Sequence, residues 1–163
     1  MRNDGGDDEE PRLRIPDAVW NELIAHLESA YPGEGCGVLV GRRGDGARRV
    51  TEAVPSENEW STRDDRYSVD PDLLRELLVR EEEGGAAVLG FYHSHPDAEP
   101  VPSSTDRELG WPWYHYLIVR VAGGEAAGAR LWQFRGGEDS MLEGSVERDS
   151  TEISQIRSGG ADE

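Results

Sequence analysis

Residues 86–96 read AAVLGFYHSHP, an apolar run of strand length that ends in two histidines around one serine and closes on a proline. A short apolar segment bounded by Gly84-Gly85 and Pro96 predicts a buried central strand, because proline cannot continue the ladder. Residues two apart on a strand share a face, so His93 and His95 aim both imidazoles at one point. The loop 95–102, HPDAEPVP, then leads to Ser103-Ser104-Thr105-Asp106 and is long enough to return Asp106 beside the two rings. Two imidazoles and one carboxylate form a three-ligand set suited to catalytic zinc, with the fourth position open. Each piece also has a plainer reading. Alternate histidines can simply be polar partners, and Ser103-x-x-Asp106 is what a helix start looks like, a capping serine with an acid three residues on. The two readings are compatible, since a capped helix start fixes where the carboxylate points.

Working outward, the pattern alternates helix and strand. Residues 17–31, DAVWNELIAHLESAY, place Val19, Leu23, Leu27 and Ala30 on one stripe at helical spacing, with Pro16-Asp17 opening the helix and Pro32-Gly33 stopping it. CGVLVG (36–41) and ARRVTEAV (47–54) flank the turn Arg43-Gly44-Asp45-Gly46 and predict a hairpin. Residues 55–69 are polar and aperiodic. They predict a long loop of the kind that shapes a site, with Asn58, Trp60 and Tyr67 as one candidate wall of a groove. Asp70-Pro71 opens a second helix over 70–83. A short helix is expected from Ser103 or Ser104. Strands are expected over 114–121 and 129–134, joined by the Gly-rich turn 122–128, and a last weak strand over 141–147. The reading is mixed α/β with a largely antiparallel sheet.

The 163 residues allow one domain plus tails. Residues 1–11 and 149–163 are rich in Asp, Glu, Gly and Ser and are expected to be disordered. Acids number 34 against 17 basic residues, a net charge of −17, and every basic residue is Arg. Such a charge argues against nucleic acid or an anionic membrane surface as partner. No apolar run approaches the length of a membrane span, and the acidic N-terminal stretch does not read as a signal peptide. The single Cys36 cannot close an internal disulfide, which fits a cytoplasmic location.

Elsewhere, Glu34 lies in the Gly-rich turn 31–37, YPGEGCG, where a glutamate is ordinarily just solvated. Cys36 reads as a small buried strand residue, and His26 and His115 as structural. The cluster Trp111-Pro112-Trp113-Tyr114 reads as packing, with a groove wall as its other use. There is no H-E-x-x-H, no second Cys for the zinc deaminase pattern, and no phosphate-cradling loop in a chain without Lys.

The pattern Glu34…His93-Ser94-His95-Pro96…Ser103-x-x-Asp106 resembles the signature of the JAMM (MPN+) zinc metallopeptidases. The flanks 34–41, EGCGVLVG, and Gly90-Phe91-Tyr92 match as well, and 111–121, WPWYHYLIVRV, is similar to the short bacterial members. The resemblance runs over roughly residues 13–135, and the spacing His-x-His-Pro-x(6)-Ser-x-x-Asp is specific. It implies an α/β, single-domain JAMM/MPN fold over 12–148, with a curved mixed, largely antiparallel sheet flanked by helices. It makes His93, His95 and Asp106 the ligands of Zn2+, Glu34 the general base that activates the attacking water, and Ser103 the hydroxyl that helps hold the water and stabilise the oxyanion. Family members cut amide bonds after ubiquitin or ubiquitin-like tails. The short bacterial type, which includes peptidases of the CysO-cysteine kind, points to a ubiquitin-like sulfur-carrier protein (ThiS/MoaD type) ending in Gly-Gly as substrate. The alternatives are a metal-free MPN-type binding scaffold, or a general zinc peptidase on short peptides.

Overall fold

Leu13 and Ile15 are fully buried between two arginines and open the ordered chain as a strand, β1 (Arg12–Pro16), directly before the first helix. The sequence reading expected no strand here. Two apolar residues in five are too short an alternation to stand out beside an acidic stretch. In the computed structural model, residues 10–44, 46–58, 68–135 and 141–149 are described. Of the expected tails, 1–9 and 150–163 lie outside the described residues. At their inner margins Pro11 accepts a hydrogen bond from the Ser145 N–H, and Asp149 pairs with Pro16.

After β1 come α1 (Asp17–Ala30), β2 (Cys36–Arg43), β3 (Arg48–Ser56), α2 (Pro71–Glu82), β4 (Ala87–Pro96), α3 (Ser104–Leu109), β5 (His115–Ala122), β6 (Glu125–Phe134), β7 (Met141–Glu143) and β8 (Ser145–Asp149). The eight strands form one mixed sheet in the order β7-β6-β5-β4-β2-β3-β1-β8. β2–β3, β2–β4, β5–β6 and β6–β7 are antiparallel, while β4–β5, β1–β3 and β1–β8 are parallel. Two boundaries differ from the reading of the sequence. The turn before β6 is only Gly123-Gly124, both at positive φ, so β6 starts at Glu125 rather than 129. The expected last strand is two strands, β7 and β8, broken at Gly144.

That break curves the sheet. β7 pairs with β6 at one edge and β8 with β1 at the other, and only Gly144 separates them in sequence. The Gly144 N–H donates to the Leu131 carbonyl of β6, and the next N–H, of Ser145, donates to the Pro11 carbonyl. A Cβ at Gly144 would lie 2.0 Å from that carbonyl oxygen, so only glycine fits where the two edges meet.

Each face of the sheet carries its own core. Leu23 and Leu27 of α1 pack with Leu13, Ile15, Leu39, Leu89, Tyr92, Leu117 and Leu131. Leu77 of α2 packs with Val38, Val40, Val88, Phe91, Tyr116 and Phe134. Phe91 and Tyr92 thus belong to opposite faces. By strand alternation His93 and His95 share the side of Phe91. β4 runs between β2 and β5 in the middle of the sheet, and all of its residues from Val88 to His95 are buried. Among the described residues no helix is long and apolar enough to cross a membrane.

Candidate metal centre

The end of β4 and the start of α3 bring three of the sequence-predicted residues together. His93 Nε2 lies 3.3 Å from His95 Nε2, 3.4 Å separates His93 Nε2 from Asp106 Oδ1, and 3.2 Å separates His95 Nε2 from Asp106 Oδ2. His93 is fully buried, and His95 and Asp106 are nearly so. Ligands about 2.0–2.1 Å from a tetrahedral zinc are spaced about 3.3–3.4 Å from one another, the length of a tetrahedral edge. The two ring nitrogens are about that far apart, and each lies at a similar distance from one of the two Asp106 oxygens, so the three side chains are grouped closely enough to hold such a cation. Among the described residues they are the one group of this kind.

The ring orientations follow from hydrogen bonds outside the triangle. His95 Nδ1 sits 2.8 Å from the Glu99 carbonyl oxygen. A carbonyl only accepts, so Nδ1 carries a proton, and this bond turns Nε2 towards the centre. Ser103 is the N-cap of α3. Its Oγ accepts the Asp106 N–H at 3.0 Å, and its own N–H donates to Asp106 Oδ2 at 2.8 Å. The capping box and the carboxylate aimed at the imidazoles are therefore one arrangement. The Trp132 indole N–H donates to the Pro100 carbonyl, which pins the loop between His95 and Ser103 to β6.

Electrostatics reinforce the grouping. Burial alone would raise the Asp106 carboxyl, but the charge of His93, hydrogen bonds from both rings and the Ser103 N–H hold it well below the ordinary carboxylate range. Burial pushes His93 down against the pull of Asp106. Burial also lowers His95, but the hydrogen bonds to Asp106 and Glu99 and the charges of Asp106 and Glu34 lift it above its usual value.

Glu34 is half-buried just ahead of β2, close enough for its charge to act on His95. It is brought there because β2 and β4 pair with Cys36 opposite His93, and Gly35 exchanges two hydrogen bonds with Ser94. Sequence reasoning missed two contributors, the Ser94 hydroxyl and the Glu99 carbonyl, and it read Asn58 only as groove wall, whereas its amide reaches the Glu34 carbonyl at 3.0 Å. The serine between the histidines was legible as a residue but its partner was not, and a backbone carbonyl leaves no mark in a sequence.

Of the expected groove wall, Asn58 is described, and Trp60 and Tyr67 lie outside the described residues. Trp111 packs edge-on against Phe91 at 5.8 Å yet stays 45% exposed, and Trp113, at φ 73°, is 44% exposed. Through Phe91, Trp111 lies on the face that the histidines share. His26 binds the Tyr92 hydroxyl at 2.9 Å, and His115 is buried within β5, so neither reaches the centre. Cys36 is fully buried.

Comparison with known proteins agrees with this geometry. The family described as prokaryotic homologs of the JAB domain matches residues 16–135. The chain is 47% identical over 117 residues to a desampylase of Haloferax volcanii, covering 69% of this chain and 83% of that protein. It is 34% identical over 100 residues to a probable TtuB-protein conjugate cleaving protease of Thermus thermophilus, covering 61% of this chain and 64% of that one. A CysO-cysteine peptidase of Mycobacterium tuberculosis is 31% identical over 100 residues, with coverage of 61% and 66%. Among solved structures, a protein of Desulfitobacterium hafniense superposes with a TM-score of 0.73 at 26% identity, covering 85% of this chain and 93% of that one. A protein of Salinibacter ruber gives 0.62 at 31% identity, with coverage of 85% and 92%.

Proposed function

The chain belongs to the prokaryotic homologs of the JAB domain and is a peptidase of that family, and from this premise we propose that it is a zinc-dependent hydrolase of the amide bond after the Gly-Gly tail of a ubiquitin-like carrier protein. The observation that carries the zinc assignment is the grouping of His93, His95 and Asp106, with each Nε2 within 3.2–3.4 Å of the other ring and of an Asp106 oxygen. We take these three as the ligands. When bound, zinc supplies a water nucleophile at neutral pH and a Lewis acid for the scissile carbonyl.

The chain's own groups do the rest. Glu34 takes a proton from the attacking water and later delivers it to the leaving amine, which balances the hydrolysis. The Ser103 hydroxyl receives the Asp106 N–H on its oxygen and turns its proton to the oxyanion developing on the substrate carbonyl. An extended Gly-Gly tail has no side chains and can approach the β4–α3 junction closely. Relatives named as a TtuB-protein conjugate cleaving protease and a CysO-cysteine peptidase support a protein conjugate as the substrate, which we take to be one of a ThiS/MoaD-type carrier.

The test uses the zinc-loaded chain and a ThiS-type carrier extended by one residue past Gly-Gly, read by intact-mass spectrometry. Trimming back to Gly-Gly, with Ala-Ala tails resisting, is the expected result. Equal cleavage of both tails, or of unrelated unfolded peptides, would make it a general peptidase; no cleavage with zinc bound would make it a scaffold.

A further inference from the structure

The peptide group that joins Glu34 to Gly35 has both of its polar atoms held by side chains from elsewhere in the chain. Its carbonyl oxygen accepts from Asn58 Nδ2 at 3.0 Å, and its N–H donates to Ser94 Oγ at 2.9 Å. Ser94 is almost fully buried between the two histidines, and its own N–H donates back to the Gly35 carbonyl at 3.1 Å. Asn58 is itself tied down, because its Oδ1 accepts the Ser68 N–H at 2.9 Å and it bridges to Val69. On the remaining side Gly35 lies against α1. A Cβ there would come within 2.9 Å of Leu27 and 3.0 Å of Ala30. One peptide plane is thus fixed by β4, by the base of the loop after β3, and by α1.

A plane held this way fixes the position of the Glu34 Cα from which the side chain departs, and narrows the directions that side chain can take. From these contacts we infer that Ser94 and Asn58 are positioning residues, which clamp the Glu34–Gly35 peptide so that the Glu34 carboxylate stays over the centre formed by His93, His95 and Asp106. The inference rests on Glu34 being the general base. Neither residue touches the reacting atoms; each acts through one backbone group. Ser94 has the further effect of coupling the two ligands on β4 to the base on β2, since it sits between the histidines and holds the residue after the glutamate. Both variants should therefore lower the rate of the proton-transfer step while sparing zinc and substrate binding.

The variants are chosen to remove one bond each. Ser94→Ala removes the acceptor for the Gly35 N–H, and Ser94→Thr keeps it. Asn58→Asp removes the donor to Glu34 and keeps the acceptor for Ser68. With zinc-loaded protein and the extended ThiS-type carrier, Ser94→Ala and Asn58→Asp should keep one zinc and the wild-type KM. Their kcat should fall about 10- to 100-fold, the range that a displacement of about 1 Å produces. Ser94→Thr should restore the rate. In a Glu34→Gln background Ser94→Ala should cost nothing further, because residues acting through one group are not additive. Independently of activity, hydrogen exchange of the Gly35 amide should accelerate in Ser94→Ala and not in Ser94→Thr.

Wild-type turnover by Glu34→Gln would refute the base assignment itself. A slow Glu34→Gln beside full kcat in both Ser94→Ala and Asn58→Asp would refute the clamp and leave the base standing. So would a Ser94→Ala loss that multiplies onto Glu34→Gln, or a Gly35 amide whose protection is unchanged, and this last result decides the clamp even on a carrier the enzyme does not cut.

Discussion

Replacing Ser103 by alanine separates the capping that its hydroxyl performs from the catalytic role proposed for it. The first is local: Oγ accepts the Asp106 N–H at 3.0 Å and caps a helix of six residues. Losing a serine cap costs about 0.5–2 kcal/mol, and the solvent-exposed position of Ser103 puts the cost near the lower end. In a chain of this size about 1 kcal/mol lowers Tm by roughly 2–4 °C. The other half of the box survives, because the Ser103 N–H still donates to Asp106 Oδ2 at 2.8 Å, so the carboxylate keeps its aim and zinc should be retained. The second job, under the proposed function, is catalytic. Removing one donor to an oxyanion costs about 10²–10³ in kcat. A shift of a few degrees in Tm leaves the enzyme folded at assay temperature and cannot imitate that loss. Ser103→Asn supplies an equivalent cap and should recover Tm without recovering rate, since its oxygen serves the helix and its amide lies elsewhere. Differential scanning fluorimetry, zinc content and turnover of the extended carrier, measured on the same preparations, decide the matter. Wild-type kcat in Ser103→Ala would show that the hydroxyl only caps, and parallel loss of zinc would show that it acts through Asp106.

The other expectations are simpler to state. Elemental analysis should find about one zinc per chain and His95→Ala or Asp106→Ala should lose most of it, and retention by either would dismantle the ligand set. Asp97, at φ 55°, accepts from the Tyr31 hydroxyl at 2.6 Å and the Gly123 N–H at 2.8 Å, and these bonds hold its carboxyl below the ordinary value. A depressed native pKa contributes stability that is present above the unfolded value of about 3.9 and lost as pH falls through the native one. Asp97→Asn, which tolerates positive φ, should therefore flatten the acid limb of a Tm–pH curve; an unchanged limb would place the acid sensitivity in other groups. Finally, 34 acids against 17 arginines leave an acidic excess even if every arginine is paired. Screening that shortens the Debye length from ~10 Å at 0.1 M to ~3 Å at 1 M salt should raise Tm in KCl, and a flat curve would remove self-repulsion as a factor.

Much of the fold was legible because it is written in period and punctuation. The stripe of Leu23 and Leu27, the Asp70-Pro71 start of α2 and the apolar run into His93 all appear where the pattern puts them. What escaped was decided by partners remote in sequence. β1 is a strand because β3 and β8 offer it parallel partners, and five residues carry no alternation long enough to announce that. Residues 125–128, EAAG, look like turn and become strand because β5 stands beside them, with Ala126 opposite Val121. Gly144 reads as an ordinary weak spot in a strand, and its meaning, the meeting of the two sheet edges, requires knowing that Pro11 lies 2.0 Å from where a side chain would be.

The site divides along the same line. His93 and His95 were legible through the two-residue period of a strand, and Asp106 through the capping pattern that also orients it. Glu34 carried no signal of its own among glycines and entered only by resemblance. The structure supplies the reason a glutamate in that turn is not merely solvated: the turn is stitched to β4 by Ser94 and to the loop base by Asn58. Those stitches end on a backbone N–H and a backbone carbonyl, and His95 is likewise oriented by the Glu99 carbonyl. Ligand side chains are chosen by type and leave a spelled motif. The groups that aim them are peptide atoms present at every position, so only the fold can say which ones are used.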